Sequence, residues 1–228
     1  MPRIWVVLSV LIKGIRICKC PISPAITINR CLTGAGFILI SLMCFSVAWG
    51  ASTPTQAVKE TIDEVLAVLG DEALKGPAQD VVRREKLEVI IGKRFDYEEM
   101  AKRTLASNWK TLSPEKQQEF IGLFQQFLTQ SYAGNIDGYS GEQVEYLKER
   151  LKGDFAEVQT KVVSTKVQIP LDYRLLKKHD KWGVYDVIID GVSLTKNYRG
   201  QFARIIKSAS FDALLDKLRS KTDLAASS

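Results

Sequence analysis

Beyond position 50 the sequence has no cysteine: Cys18, Cys20, Cys31 and Cys44 all lie in the first fifty of its 228 residues. That absence excludes a disulfide framework, a Cys-ligated zinc site and thiol catalysis from the main domain. Histidine is almost missing too. His179 is the only one, set in a Lys-Lys-His-Asp-Lys turn without a thiol or second imidazole as partner, and it reads as a solvated turn residue. The sequence contains no Walker-type loop, no GxSxG elbow and no HExxH helix. Asp186 sits within an apolar strand and reads as a structural acid paired with an arginine such as Arg174 or Arg199. No catalytic residue and no metal ligand is assigned, and the chain is not read as an enzyme. A basic surface is also lacking. Five of the 32 basic residues fall in 1–50, where there is no carboxylate, so the other 27 face all 26 acids. The net charge of +6 therefore belongs largely to the N-terminal stretch. Arg83-Arg84 and Lys177-Lys178 are interleaved with acids, and nucleic-acid recognition is not expected.

Residues 1–50 have the polarity of an export signal. Positive charge ends at Arg30, an apolar run follows over 37–48, and Ala48 and Gly50 supply small residues for a peptidase near Ala48–Gly50. The run is short of the ~20 residues of a spanning helix. The competing reading is an uncleaved anchor, since 31–50 carries no charge, but Gly34, Gly36 and Trp49 weaken it. Cys44 follows Met43, which is too large for a lipidation site. A second apolar run at 4–12 makes the leader long. The division expected is a signal peptide over 1–50, a folded domain over 51–221, and a flexible tail over 222–228, with the mature chain in the periplasm.

Within the exported chain the apolar period changes midway. Thr53-Pro54 opens a helix carrying Val58, Ile62, Val65, Leu66 and Leu69, and Gly70 follows its end. Pro77 begins a second helix that closes at Gly92, and Asp96-x-x-Glu99 gives a capping-box start to a third. Ser113-Pro114 starts a longer one, with Phe120, Leu123, Phe124, Phe127, Leu128 and Tyr132 on one stripe up to Gly134 and Gly138. From Gln143 the period is two. Val144 and Tyr146, then Ala156 to Val162, then Val167 to Leu175, then 182–189 predict an antiparallel meander of about four strands. Pro170 predicts an edge or a bulge in its strand. In the last strand Trp182, Val184 and Ile188 are expected on one face, and Tyr185, Val187 and Ile189 on the other. Two helices, one carrying Leu194 to Ile206 and one capped by Ser210, close an α+β domain.

Large apolar side chains on both the long helix and the sheet serve either as a packed core or as the walls of a cavity for an apolar ligand. Leu128 and Tyr132, one turn apart, are the expected walls on the helix side. Tyr173, Val187, Ile189 and Val192 are expected on the sheet side, with Val184 and Ile188 as the other assignment of the strand's faces.

These residues carry a resemblance. Phe95-Asp96, Trp109, Ser113-Pro114-Glu115, Phe120-x-x-Leu-Phe124, Phe127-Leu128 and Tyr132-Ala133 come in the order and spacing of the MlaC, or toluene-tolerance, family. Tyr139-x-Gly141, Trp182-x-Val-Tyr-Asp-Val187, Gly191-Val-Ser-Leu194, Tyr198-Arg199-x-Gln-Phe202 and Phe211-Asp-x-Leu-Leu215 continue it, covering nearly all of 51–221. Ala106 and Ser210 stand where the family pattern leads one to expect glycine, and the leader is longer than the family's. The resemblance implies a monomeric periplasmic phospholipid carrier with no other cofactor, an apolar cavity between helices and sheet, and a role in outer-membrane lipid asymmetry. Its partners would be an inner-membrane ABC transporter with a lipid-binding ring and an outer-membrane lipoprotein complex. The alternative is a periplasmic adaptor with a packed core that binds only protein.

Overall fold

A computed structural model describes residues 52–133, 141–164 and 168–226, with the side chains of 132, 133 and 223–226 excluded. The leader, Gly134, Gly138, Tyr139 and Val167 lie outside these residues. Thr53 caps α1 (Pro54–Gly70) by accepting from the Gln56 N–H at 3.1 Å, and Pro54 takes the first turn. Pro77 opens only a 3-10 turn, Pro77–Gln79, and α2 (Asp80–Arg94) runs two residues past Gly92. Asp96 caps α3 (Tyr97–Leu105) by accepting from the Glu99 N–H at 3.0 Å, as the spacing predicts. Ala106 leaves that helix with φ of 52°, a conformation glycine adopts more easily. A 3-10 turn, Ala106–Thr111, then leads into α4 (Pro114–Ala133).

Five strands follow, β1 (Gln143–Lys152), β2 (Phe155–Val163), β3 (Gln168–Lys178), β4 (Lys181–Ile189) and β5 (Val192–Ser193). They pair antiparallel in chain order, so every connection is a hairpin. The fifth strand, two residues long, is too short to show a period in sequence. His179 and Asp180 form the β3–β4 turn with φ of 47° and 61°, as a two-residue primed turn requires, and His179 is exposed. The chain closes with α5 (Leu194–Ser208) and α6 (Phe211–Ala226), which extends into the stretch expected to be a tail. Ser210 caps α6 through the Ala213 N–H at 3.0 Å.

Pro170 lies in β3, an interior strand, rather than at an edge of the sheet. Its carbonyl accepts from the Asp190 N–H at 3.0 Å, and β4 pairing starts only at Leu171. A residue's N and O point to the same side of an antiparallel strand, so the missing N–H faces the place where the β4 ladder has ended. The ladder to β2 is not interrupted.

The buried side chains form two clusters. One joins α3, α4, α5 and α6 around Met100, Leu105, Phe120, Phe124, Phe202, Leu214 and Leu218. Phe124 stands edge-on to both Tyr198 and Phe202, with centroids 5.9 and 5.8 Å away. The other joins α1 to one sheet face through Ala57, Val58, Ala156, Val158, Leu175, Trp182 and Val184. Partly buried Phe95 packs against both. The segment around it is pinned to β4, because Asp96 N–H donates to the Val184 carbonyl at 2.8 Å. Gly183 lets the segment approach closely there: a Cβ on it would lie 3.1 Å from Asp96 Cβ, a tight contact.

The candidate ligand-binding face

The strand registers decide which side chains share a face. Cross-strand partners point the same way, so the row Tyr146, Thr160, Leu171 and Ile189 lies on one face. The next row on that face contains Val158, Tyr173 and Val187, and the next Ala156, Leu175 and Val184. Val192 joins it as the partner of Ile189. Of the six expected site residues, the four from the sheet side (Tyr173, Val187, Ile189 and Val192) thus stand on one face.

The expected faces of β4 need correction. Arg174 pairs with Asp186 while Leu175 pairs with Val184, which leaves Tyr185 as the extra residue of a bulge. Alternation reverses there. Trp182 and Val184 therefore share a face with Val187, against the single alternation expected from sequence. Tyr185 packs on the helical cluster, with the Arg103 guanidinium 3.9 Å from its ring centroid. Ile188 shares the opposite face with Asp186, so Val184 and Ile188 are not alternatives on one surface.

Helix α1 covers the apolar face unevenly. Thr55 N–H donates to Glu149 Oε2 at 2.8 Å, and Trp182 Nε1 donates to the Ser52 carbonyl at 3.0 Å. These bonds hold the first turns of α1 down, where Ala57, Val58 and the Ala156 row are closed off from solvent. Arg94 of α2 donates to the Trp182 carbonyl at 3.0 Å and to Thr61 Oγ1 at 2.9 Å, fixing α2 to the same end. Further along, Ile62 of α1 and the sheet residues Tyr146, Leu171, Tyr173 and Ile189 are only half-buried, although they belong to the same apolar cluster. A sheet face that is sealed at one end and accessible at the other is suited to receiving an apolar ligand.

The phenols report the same enclosure. Burial pushes the Tyr146 hydroxyl up to about 12 and raises Tyr173 further, and in the helical cluster it pushes Tyr97 up to about 12 as well. Because the folded protein favours the neutral phenols, these groups take nothing from stability below the ordinary value of 10.0. As pH rises from about 10 towards 12 the unfolded chain ionises first and stability falls. An alkaline titration followed by phenolate absorbance should therefore show part of the tyrosine signal appearing only together with loss of ellipticity. Full ionisation near pH 10 in the folded protein would contradict this.

Leu128 belongs to the helical cluster at 4% exposure, while Tyr132 lies on α4 with its side chain outside the described residues. The sequence reading missed Ile62, Tyr146 and Leu171; Tyr146 and Leu171 enter the face only through their register with Ile189. The opposite sheet face is polar where helices leave it open: Arg174 meets Glu157 at 3.3 Å, and Lys161 meets Glu145 at 2.9 Å. Asp186 takes Arg174, not Arg199, as its ionic partner, at 3.6 Å; Arg199 Nε donates instead to the Arg103 carbonyl. A separate open hollow of about 340 Å³ is lined by Val68, Glu85, Lys86, Val89 and Ile90, none of them in either cluster. Among the described residues no group of His, Cys, Asp and Glu could hold a metal, and no helix is long and apolar enough to cross a membrane.

An antiparallel sheet with one apolar face partly covered by α1 defines an α+β domain whose half-open face can receive an apolar ligand. Sequence comparison gives the family. The chain belongs to the MlaC family, whose description, MlaC protein, fits residues 59–220. It is 20% identical over 205 residues to the intermembrane phospholipid transport system binding protein MlaC of Haemophilus influenzae, covering 85% of this chain and 94% of that one. It is 26% identical over 170 residues to the toluene tolerance protein ttg2D of Pseudomonas putida, covering 73% and 79%. The fold matches a phospholipid-binding protein of Ralstonia solanacearum, solved with a phospholipid, with a TM-score of 0.66 and 30% identity. That match covers 75% of this chain and 97% of the other.

Proposed function

We propose that this protein is an exported phospholipid carrier, which receives acyl chains on the half-sealed sheet face and moves lipid between membrane-bound complexes across the periplasm. The observation that carries the reading is the accessible apolar end of that face, in a chain whose Ralstonia relative holds a phospholipid. Tyr173, Val187 and Ile189 are the proposed wall on the sheet side, with half-exposed Val192 at the rim. Tyr132 is retained as the expected wall from α4, whereas Leu128 packs in the helical cluster and is not placed in the wall.

The physics makes the role intelligible. Exposing an acyl chain to water costs roughly 0.8 kcal/mol per methylene, so unaided transfer between membranes is slow. A wall of Leu, Val, Ile and Tyr replaces one hydrocarbon environment by another and leaves the exchange nearly balanced. Direction would then be set by the partners: an inner-membrane ABC transporter with a lipid-binding ring and an outer-membrane lipoprotein complex. The leader over 1–50, removed near Ala48–Gly50, would deliver the chain to that compartment. The outcome for the cell would be maintenance of outer-membrane lipid asymmetry.

Organic extraction of the purified protein, followed by mass spectrometry, tests the proposal. Co-purified phospholipid in near-stoichiometric amount is expected. Protein that carries no lipid, and takes none up from vesicles, would overturn the carrier reading in favour of a protein-binding adaptor.

A further inference from the structure

Acids and bases nearly balance over the domain, but they are not spread evenly. Between Asp190 and Asp212 there is no carboxylate, and α5 carries Lys196, Arg199, Arg204 and Lys207. The helical period gathers these four on one side of α5, with exposed Gly200 and Ala203 between them. The other side, with Tyr198, Phe202, Ile205 and Ile206, packs in the helical cluster. All four cations are exposed, and among the described residues none has a carboxylate partner. Arg199 Nε donates to the Arg103 carbonyl and Arg204 Nε to the Gly200 carbonyl, bonds that orient the guanidinium groups without neutralising them. Nearby acids are committed elsewhere. Asp186 is buried in its own hydrogen bonds, Glu99 is held by Arg103 at 2.7 Å and Asp212 by Lys116 at 2.6 Å, which leaves exposed Asp190 in the turn before β5.

Helix stability does not account for the stripe. Lys196 lies in the first turn, where there is no acid, and the helix dipole disfavours a cation at that end. Its position relative to the apolar face is more informative. Val192, 45% exposed at the rim, pairs with Ile189, and the next residue, Ser193, caps α5, so the cationic side begins where the apolar face is open. The stripe also lacks what a protein partner would grip. Stable protein interfaces centre on buried aromatic and large apolar anchors, whereas the exposed large apolar side chains of the described residues lie on α2, β1, β2 and β5. A layer of anionic lipid headgroups needs no anchor, because each Lys or Arg held near it contributes separately.

We propose that the side of α5 bearing Lys196, Arg199, Arg204 and Lys207 docks the protein on a membrane surface rich in anionic phospholipid headgroups, bringing the open end of the apolar face to the bilayer. This rests on the carrier reading, which gives the protein reason to meet such a surface. The docking is electrostatic and reversible. No part of α5 inserts, since its apolar side is already packed in the helical cluster.

Co-sedimentation with two kinds of vesicle tests the docking, one of phosphatidylcholine alone and one of phosphatidylcholine and phosphatidylglycerol in equal parts. Wild type should pellet with the anionic vesicles at low salt, stay in solution with the neutral ones, and be released as salt is raised. The double variant Lys196→Gln, Lys207→Gln should bind the anionic vesicles about 25-fold more weakly, roughly fivefold for each lost cation. Its melting temperature should not change, because both side chains are exposed. The control Lys148→Gln, Lys181→Gln removes the same charge from exposed positions on the sheet and should bind as wild type does. Equal losses in the two double variants would overturn the assignment to α5, because net charge alone would then explain the binding. Wild type that ignores anionic vesicles would overturn the membrane surface as partner, and the stripe would then fit an acidic protein. Extracted lipid is read separately. Wild type that contains phospholipid but ignores the vesicles loses the docking face and keeps the carrier reading, whereas wild type that neither contains nor takes up phospholipid loses the carrier reading itself.

Discussion

Ile189→Glu should give a folded protein without lipid, whereas Leu128→Glu should give little folded protein at all. The two positions differ in access to water. Ile189 is half-buried at the open end of the apolar face, so a carboxylate there can stay hydrated when no ligand is present. Its cost to the free protein is the loss of one partly buried side chain, about 1 kcal/mol. An acyl chain laid against that carboxylate would strip its water, and binding should fall at least about tenfold. Leu128 is 4% exposed in the cluster that contains Phe120 and Phe124. An unpaired charge in that setting costs about 3–5 kcal/mol or more. Against a total stability of about 5–15 kcal/mol, such a change removes much of the folded population. Thermal melting and extracted lipid content, measured on both variants, check the pair. Ile189→Glu with normal lipid content would remove it from the binding face, and a normal melting curve for Leu128→Glu would mean that the α4 stripe faces open space.

How much of this was legible in sequence depends on whether the governing contact is local. Thr53, Asp96 and Ser210 caps are local, because each hydroxyl or carboxylate reaches an N–H three residues on. The His179-Asp180 turn is equally local. The faces of β4 were not legible beyond Val184, because the bulge at Tyr185 exists only in the register with β3. Before the bulge, alternation places Trp182 and Val184 correctly together; after it the same rule fails by one residue. Pro170 shows the same limit from another side. Its strand is interior, and what permits a proline is the point where β4 stops, which no property of β3 reveals. Tyr146 was visible as an alternating strand residue. Its place beside Leu171 and Ile189 on one face is set by registers across three other strands.

Asp186→Ala should be the most damaging substitution on the polar face of the sheet, costing about 3–5 kcal/mol. Asp186 is 2% exposed and accepts from Ser193 Oγ at 2.6 Å and from the Thr195 N–H at 3.0 Å. Ser193 at the same time caps α5 through the Lys196 N–H at 3.2 Å. One carboxylate thus fixes the end of β4, the short β5 and the first turn of α5 relative to one another. Arg174 Nη1, 3.6 Å away, supplies the countercharge. Truncation to alanine leaves a buried N–H and a hydroxyl without their acceptor and an arginine with one fewer partner. For a domain of this size the expected drop in melting temperature is about 10 °C. Asp186→Asn retains one acceptor oxygen and should recover part of the loss, since the two protein donors matter more than the distant guanidinium. The alternative is that the Arg174 ion pair dominates; it is half-open to water on the arginine side, and pairs of that kind contribute about 0–1 kcal/mol. Salt separates the two accounts. If the short hydrogen bonds carry the effect, the deficit of Asp186→Ala should be nearly the same at low and high ionic strength, because buried contacts are poorly screened. A deficit under about 3 °C, or one that vanishes in high salt, would show that Asp186 is only a surface-type ion-pair partner.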